Sequence, residues 1–348
     1  MIESVFAPDW RNGVPYQRLL AESLPPHGVN VAFLSDYKRI FPLRRLLSAR
    51  RCDILHLHWP EAYYPAKGDA WDWFRRFRFP FDLAGAVRGR ALAVTAHNLH
   101  AHNRAGKSFE FRNARAALRS AGVVFAHSEI AKVRLVETFG LSPEKIRIIP
   151  HGDLSVTLGP PVSSAEARAA LGLKCGRLAI VFGAVEPYKG QEEIIAWWKQ
   201  AKPDATLAII GKPHTAEYRM HIEQLTADAP NIVTKFGWLD DAQLKLWLCA
   251  SDATIFNYRQ IFTSGAANLA RSLGLPMLLP VRLDTVALDE PSPFVHRFER
   301  LDSDFAAKLE AAFRTAPDFA AAAKWRADCT WDRVAQLTSD GYRAALAN

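Results

Sequence analysis

The chain has no hydrophobic run long enough to cross a membrane, and it contains few cysteines. No apolar stretch among its 348 residues reaches the ~18 residues that a membrane-spanning helix needs. The first residues carry neither the basic start nor the apolar stretch of a signal peptide. The four cysteines are isolated and show none of the spacings of zinc or redox motifs. These absences favour a cytosolic protein with reduced cysteines over a membrane-spanning or disulfide-stabilised one.

Positive charge is concentrated in one half of the chain. Residues 1–150 carry 23 basic side chains against 13 acidic ones, whereas residues 151–348 carry 21 against 23. This asymmetry indicates that the first half meets an anionic partner, such as a phosphorylated substrate, a lipid surface or a nucleic acid. Because no nucleic-acid-binding module accompanies the charge, we expect no nucleic-acid partner.

Short apolar runs alternate with amphipathic helical patterns along almost the whole chain, which is typical of parallel sheets covered on both faces. The predicted strands are 4–7, 29–34, 54–58, 91–96, 123–126 and 146–149, then 177–182, 206–210, 232–236, 252–256 and 276–279. The predicted helices are 16–24, 107–120, 129–138, 191–201, 216–229, 241–250 and 264–273. Residues 150–164, rich in Pro, Gly and Ser, are predicted to be a linker. We therefore predict an α/β protein with two doubly wound, Rossmann-like domains that face each other across a cleft. Ligands are expected at the carboxyl ends of the strands.

One predicted strand-to-helix loop, 183–190 (GAVEPYKG), combines glycines with a cation. Gly183 follows the strand, and Lys189 and Gly190 come directly before a helix. A lysine beside a helix N-terminus can bind phosphate, because the backbone N–H groups and the helix dipole favour anions. An ordinary turn with an exposed lysine explains the segment equally well.

A second loop, which begins with Tyr258 and Arg259, leads into another helix. Thr263 or Ser264 is predicted to cap that helix, and Gly265 would let a ligand approach its first amides. Capping alone would explain the hydroxyls, but the positive charge of the arginine favours diphosphate binding. Neither loop matches the dinucleotide fingerprint or the ATP-binding phosphate loop, which argues against hydride transfer and ATP hydrolysis.

In this order, five segments resemble the donor domain of GT-B-fold glycosyltransferases near glycosyltransferase family 4. They are 183–190, 211–213 (GKP), 236–241 (FGWLDD), 251–253 (SDA) and 274–276 (GLP), and 149–153 (IPHGD) resembles the family's interdomain junction. The resemblance implies an acceptor domain at 1–155, a nucleotide-sugar domain at 165–330, and a closing helix, 331–348, that packs back on the first domain. It also implies that the donor base and ribose lie at Gly211, Lys212, Phe236 and Gly237.

The chain departs from family 4 at Ala184, Ile261 and Leu269, where that family carries an arginine and two glutamates. The segments 56–61 (HLHWPE), 95–99 (TAHNL), 187–190 (PYKG) and 264–265 (SG) instead resemble family 94, the inverting β-mannosyltransferases of xanthan-type exopolysaccharide assembly. This resemblance implies transfer of mannose from GDP-mannose, with inversion, to a polyprenyl-diphosphate-linked oligosaccharide. The alternatives are a retaining family-4-type enzyme that uses a UDP- or GDP-sugar, and a catalytically silent protein that binds a nucleotide or lipid.

An inverting transfer needs a general base that accepts the proton of the acceptor hydroxyl. The loops that leave the first-domain strands offer Glu61 as the first choice, His97 as the second and Asp9 as a further candidate. The same loops carry candidates for acceptor contact, namely Asn12, Gly13, His58, Trp59 and Asn98. His56, within a strand, is predicted to lie in the core.

No metal or other cofactor is expected besides the donor substrate. The spacing of His97, His100 and His102 fits no zinc template, and no carboxylate cluster accompanies these histidines. The Asp-x-Asp motif by which GT-A enzymes hold a divalent ion is also absent.

Segment 71–81 (WDWFRRFRFPF) interleaves aromatic residues with arginines. Such stretches bind anionic membrane interfaces, and each cation near the surface contributes ~1 kcal/mol. The predicted membrane contacts are Trp71, Trp73, Arg75, Arg76, Phe77 and Arg78. We therefore expect a cytoplasmic protein held peripherally at the inner face of the plasma membrane. The alternative is a helix whose apolar face lies in the core and whose arginines lie in solvent.

Overall fold

The computed structural model describes residues 1–35, 40–47, 51–64, 71–99, 108–173, 176–283 and 293–347. The chain divides into two compact units. Unit 1 comprises Met1–Gly152 and Asp328–Asn348, and unit 2 comprises Asp153–Ala327. Both are built from β-strands that alternate with α-helices.

The strands are β1 Ile2–Ala7, β2 Val29–Phe33, β3 Ile54–Leu57, β4 Ala91–Thr95, β5 Val123–Ala126, β6 Ile146–Ile148, β7 Leu178–Phe182, β8 Thr206–Gly211, β9 Ile232–Phe236, β10 Ala253–Ile255, β11 Met277–Pro280 and β12 Val295–Phe298. The helices are α1 Pro15–Ser23, α2 Pro42–Leu47, α3 Asp72–Ala86, α4 Ser108–Ser120, α5 Glu129–Phe139, α6 Ser164–Leu171, α7 Gln191–Ala201, α8 Ala216–Thr226, α9 Asp241–Ala250, α10 Gly265–Ser272, α11 Phe305–Arg314, α12 Phe319–Asp328 and α13 Trp331–Ala347.

Each unit contains one six-stranded sheet in which all the pairings are parallel. The strand order is β2-β1-β3-β4-β5-β6 in unit 1 and β12-β11-β10-β7-β8-β9 in unit 2. Strands covered on both faces need apolar side chains in both directions, which is why they read as continuous apolar runs. In β7, Ile180 and Phe182 join the core on one face, while Ala179 and Val181 join the core on the other. The predicted α/β class with two doubly wound sheets is confirmed.

The C-terminal helix α13 belongs to unit 1, where it packs against α1, β4 and β5. Its Tyr342 is fully buried, and the Oη atom of this tyrosine lies 2.6 Å from Nδ1 of His56. The other ring nitrogen of His56 lies 2.7 Å from Oγ1 of Thr95. His56 is therefore a hydrogen-bonded core residue, as predicted.

The predicted strands and helices are confirmed to within a few residues at their ends, but five elements were missed, the first of which is the short helix α2. The predicted linker 150–164 contains the start of α6, where Ser163 and Glu166 form a reciprocal capping box. β12 lies at a sheet edge and is only half-buried over most of its length, so it lacks a continuous apolar run. The remaining two are the alanine-rich helices α11 and α12.

Candidate functional site

The predicted donor-binding residues lie in the loops at the carboxyl ends of β7, β8, β9 and β10 in unit 2. Gly183 follows β7 with φ +97°, and a Cβ atom there would approach Lys189 Nζ to 3.0 Å. The missing side chain of Gly183 thus leaves room for the ammonium group. Gly190 ends the short 3-10 helix at Pro187–Lys189 and forms the N-cap of α7.

Lys189 is a buried cation with only 6% of its surface exposed. Its Nζ atom lies 5.2 Å from the ring centroid of Tyr258, within the range of a cation–π contact. Among the described residues, no carboxylate pairs with this ammonium group. A lysine that is buried along most of its length and has no ionic partner among the described residues can offer its ammonium group to an anion.

The α10 N-terminus lies next to the same tyrosine. Ser264 Oγ donates a hydrogen bond to Tyr258 Oη at 3.4 Å and accepts one from the Ala267 N–H at 3.1 Å. Ser264, rather than Thr263, is therefore the cap of the helix. Gly265 is the first helical residue, and the first turn contains no acidic side chain, so the amides and the helix dipole favour an anion here.

Arg259 reaches this edge of the sheet with its charge already paired. Its Nε lies 2.7 Å from the Glu193 carboxylate, and its Nη2 lies 3.7 Å from that of Glu192. Both glutamates belong to the first turn of α7. The arginine predicted to bind the diphosphate thus forms ion pairs with two carboxylates of a neighbouring helix.

The loops after β8 and β9 lie directly beside the β7 loop. Gly211 has φ +139°, and a Cβ atom there would lie 1.7 Å from the Gly183 carbonyl oxygen. The Gly237 N–H donates to the Gly211 carbonyl at 3.0 Å, which joins the third loop to the second. Lys212 is exposed, and Phe236 is half-buried beneath the guanidinium of Arg219.

In unit 1, a histidine follows each of four neighbouring strands. His58, His97, His127 and His151 follow β3, β4, β5 and β6, respectively. Successive ring centroids are 5.7, 5.3 and 5.1 Å apart, so these imidazoles form a row along the carboxyl edge of the sheet. We call them the histidine row. Sequence reasoning identified the first two members but missed the other two, whose shared position after strands was the available signal.

The histidine row is buried and electrically neutral. Burial lowers the pKa of His127 to about 4 and that of His151 to about 3, and it holds the pKa of His58 and His97 well below the usual imidazole range. His58 Nδ1 lies 3.4 Å from His97 Nε2. Three ring nitrogens have no hydrogen-bond partner among the described residues, namely His58 Nε2, His127 Nε2 and His151 Nδ1.

Trp59 stacks on His97, the second member of the histidine row. Its ring stacks on His97 at 4.3 Å with planes 12° apart, and Trp10 stacks on Trp59 at 5.1 Å. This stacking fixes the orientation of the His97 ring. His58, whose position the sequence left undecided, is fully buried beneath this stack.

Glu61 lies in a short 3-10 helix at Pro60–Tyr63, after β3. Its Oε1 accepts a hydrogen bond from Asn98 Nδ2 at 2.8 Å, so two of the predicted site residues meet directly. Burial raises the pKa of Glu61, while the hydrogen bond from Asn98 partly offsets that rise. A carboxylate with a raised pKa is a better proton acceptor near neutral pH than one with an ordinary pKa.

The turn after β1 holds the other predicted acceptor residues. Asp9 forms an ion pair with Arg11, with a carboxylate oxygen 3.2 Å from Nε. Asn12 and Gly13 are exposed, and the Gly13 N–H closes the turn by donating to the Trp10 carbonyl at 2.9 Å. The ion pair makes Asp9 a poorer candidate for a base than Glu61.

The predicted membrane-contact segment forms the start of α3. Trp71, Trp73 and Phe77 are exposed, and Arg75 is half-buried. Arg76 belongs to this helix, but its side chain lies outside the described part of the chain. The prediction for Arg78 is wrong, because this arginine is buried and donates to the carbonyl oxygens of Ile40 at 2.8 Å and Tyr63 at 2.7 Å.

The described residues contain neither a cluster of metal ligands nor a membrane-spanning helix. No group of three or more His, Cys, Asp or Glu side chains in these residues is arranged to hold a metal ion. None of the described helices is long and apolar enough to cross a bilayer. His100 and His102, considered above for a metal, lie outside the described residues.

Three comparisons relate the chain to known proteins. Residues 4–153 match the model of Glycosyltransferase Family 4. The chain is 28% identical over 342 residues to a GDP-mannose:glycolipid 4-beta-D-mannosyltransferase of Xanthomonas campestris pv. campestris, and this match covers 96% of the chain and 89% of the relative. The predicted resemblance is confirmed, and these matches support the predicted enzyme class, a glycosyltransferase.

The chain is also similar to solved structures of glycosyltransferases. A sucrose-phosphate synthase from Thermosynechococcus elongatus matches with a TM-score of 0.76 at 15% identity, over 100% of this chain and 99% of that one. An Anabaena protein, HepE, in complex with UDP and glucose matches with a TM-score of 0.71 at 14% identity, over 98% and 99%. Similarity at this level shows the fold, which is the predicted GT-B fold.

Proposed function

We propose that this protein transfers mannose from GDP-mannose, with inversion to a β-linkage, to a lipid-linked oligosaccharide. The observation that carries the proposal is the buried cation of Lys189, which has no ionic partner among the described residues and lies beside the N-terminus of α10. Two features that favour an anion occur at one end of one sheet, and the diphosphate of a nucleotide sugar is such an anion.

The charges in unit 2 favour α10 over α7 as the helix that meets the diphosphate. The first turn of α7 carries Glu192 and Glu193, which would repel a phosphate, whereas the first turn of α10 carries no acidic residue. In this proposal, Lys189 pairs with the phosphate oxygens, and the Ser264 and Gly265 amides donate to them. The cationic group and the amides would stabilise the charge that develops on the leaving GDP.

In unit 1, the electrostatics favour Glu61 as the general base. Burial raises the pKa of Glu61 but holds that of His97 well below the usual imidazole range, so His97 is the weaker proton acceptor for an imidazole in this position. Asn98 would hold one carboxylate oxygen and leave the other for the acceptor hydroxyl. His97 would contact a substrate hydroxyl through its neutral ring.

The identity of the donor and the inverting outcome are supported by the name of the Xanthomonas relative. The positions where family 4 carries two glutamates provide further support. Leu269 is buried in the apolar core of unit 2, and Ile261 packs against that core, so neither position presents a carboxylate to a sugar. We propose that transfer needs no metal, with Lys189 supplying positive charge at the leaving group.

For the acceptor, we propose delivery from an anionic membrane surface in exopolysaccharide assembly. Trp73, Phe77 and Phe81 recur every four residues on one face of α3, and each is more than half exposed. An exposed aromatic face on a basic unit is suited to the interface of an anionic bilayer. The rest of α3 packs inward through Phe79 and Leu83, so the helix is anchored to its unit.

The experiment that tests this proposal is a transfer assay with radiolabelled GDP-mannose and a lipid-linked oligosaccharide in vesicles. We expect label in the lipid fraction and a β-anomeric signal for the new linkage in the NMR spectrum of the product. An α-linked product would instead indicate a retaining enzyme. Binding of GDP without any transfer or hydrolysis would indicate a catalytically silent protein, and both results would contradict the proposal.

A further inference from the structure

The strand order of unit 2 indicates where along the sheet edge its ligand crevice lies. β7 pairs with β8 on one side and with β10 on the other, so the chain reverses its direction across the sheet between β7 and β10. Ligands of doubly wound sheets bind outside the carboxyl ends of the strands at such a reversal. The β7 loop and Tyr258 flank this position, which agrees with the site proposed for the diphosphate.

From this crevice, the described loops are more open toward β8 and β9 than toward β11. On the β11 side, Arg282 Nη2 donates to Asn257 Oδ1 and to the Tyr258 carbonyl, both at 3.1 Å, and so fills the space above these strand ends. On the β9 side, Gly237 has φ +136°, and a Cβ atom at this position would meet nothing within 4 Å. A flat group bound to unit 2 therefore has room above the end of β9.

Trp238 lies at this open edge with 68% of its surface exposed. In the described part of the chain, no ring or cation packs against its indole. Its backbone is nevertheless held from both sides. Gly237 is hydrogen-bonded to the β8 loop, and Asp240 caps α9 by accepting from the Gln243 N–H at 2.7 Å. An exposed indole on a fixed backbone is a ready stacking surface.

The spacing of the strands leaves room for a nucleotide between the diphosphate position at the end of β7 and Trp238 at the end of β9. Neighbouring strands lie ~4.8 Å apart, and β9 is the second strand from β7, so its exit lies roughly 10 Å from the diphosphate position. An extended ribose separates the phosphates of a nucleotide from its base by a comparable distance. We propose that Trp238 stacks on the base of the donor and, through the larger overlap with a bicyclic ring, selects a purine nucleotide over a pyrimidine one. This inference rests on the proposed function.

The test compares the binding of GDP, UDP and pyrophosphate by calorimetry to the wild-type protein and to W238A, W238F and F319A. Phe319 is a matched control, since it is a 64%-exposed aromatic of the same unit, on α12. We expect W238A to bind GDP about tenfold more weakly, because a stacked base contributes that much or more. The affinity of W238A for UDP should fall less, and its affinity for pyrophosphate should equal that of the wild-type protein. W238F should retain most of the GDP affinity, and F319A all of it.

Two results would overturn the inference. One is that W238A binds GDP with wild-type affinity. The other is that W238A loses as much affinity for pyrophosphate as for GDP, which would mean that the substitution disturbs the loop rather than the stacking. If the wild-type protein binds pyrophosphate but neither GDP nor UDP, the proposed function itself fails, and the stacking role of Trp238 fails with it.

Discussion

The carboxyl edges of the two sheets differ although both sheets are parallel and six-stranded. In unit 1, the edge is filled by the histidine row, whose rings are buried and neutral. In unit 2, the loops after β7, β8 and β9 begin at glycines, and the only described cation buried among them is Lys189. The same architecture thus provides an edge filled by neutral imidazoles in one unit and an open edge with a buried lysine in the other. This difference supports the proposed placement of the sugar acceptor in unit 1 and of the anionic donor in unit 2.

The largest expected effect is kinetic and concerns unit 1. We predict that Glu61→Gln lowers kcat by ~10²- to 10⁴-fold, because the amide cannot accept the acceptor proton, while the affinity for GDP is unchanged. Transfer kinetics and calorimetry measure the two quantities separately. Glu144→Gln is the control, since this glutamate is exposed in the same unit. Wild-type kcat in Glu61→Gln would show that another group is the base.

The glycines of unit 2 allow a test of the open edge. Gly211→Ala places a Cβ atom 1.7 Å from the Gly183 carbonyl, whereas Gly237→Ala, at nearly the same φ, meets nothing within 4 Å. We predict a loss of ~3 kcal/mol or more in the free energy of unfolding for the first variant and a smaller loss, from backbone strain alone, for the second. Denaturant titration measures both. If both variants lose the same free energy of unfolding, backbone strain, and not the close approach of the two loops, determines the destabilisation.

The histidine row should make the stability of unit 1 sensitive to acid. The folded-state pKa of His127 is about 4 and that of His151 about 3, both below the unfolded value of ~6.5. As the pH falls, the histidines of the unfolded chain therefore bind protons before those of the folded chain do. The free energy of unfolding is thus highest above about pH 6.5 and declines below it. At roughly pH 5, each of these imidazoles should cost up to ~2 kcal/mol of stability. Denaturant titrations at about pH 6.5 and at roughly pH 5 measure this loss of stability.

His127→Phe and His151→Phe are the informative variants for this acid sensitivity. Each should reduce the difference in stability between the two pH values, even if it lowers stability at both. If the pH dependence is the same in the variants as in the wild-type protein, the histidine row does not cause it.

The smallest effect concerns α3. We predict that the double variant W73S/F77S binds anionic vesicles several-fold more weakly than the wild-type protein and keeps its Tm, because both side chains are exposed. Arg78→Ala should instead lower Tm, because it removes the hydrogen-bond donor of the buried Tyr63 carbonyl and that of the part-buried Ile40 carbonyl. Vesicle sedimentation and thermal denaturation distinguish these outcomes. Unchanged sedimentation of W73S/F77S would remove α3 from the membrane contact.

The sequence predicts the sheets well because every buried parallel strand must be apolar on both faces. Among the described strands, only the polar edge strand β12 was not predicted. It also identifies Lys189, since the loop motif contains the residue itself. It does not reveal the burial of Lys189, the pairing of Arg259 with Glu193 or the inward direction of Arg78. Those properties depend on neighbours distant in the chain. The histidine row illustrates this limit, because its members become neighbours only when four strands pair.

The proposed function depends above all on the binding of the donor diphosphate by Lys189, the buried cation of unit 2. The most direct test is GDP calorimetry with Lys189→Met, which keeps the apolar stem and removes the charge, beside Lys324→Ala, an exposed lysine of the same unit. We predict that Lys189→Met lowers GDP affinity by about tenfold to a hundredfold, as expected for a charged hydrogen bond, and that Lys324→Ala has no effect. Wild-type GDP affinity in a folded Lys189→Met protein would show that this lysine does not bind the diphosphate.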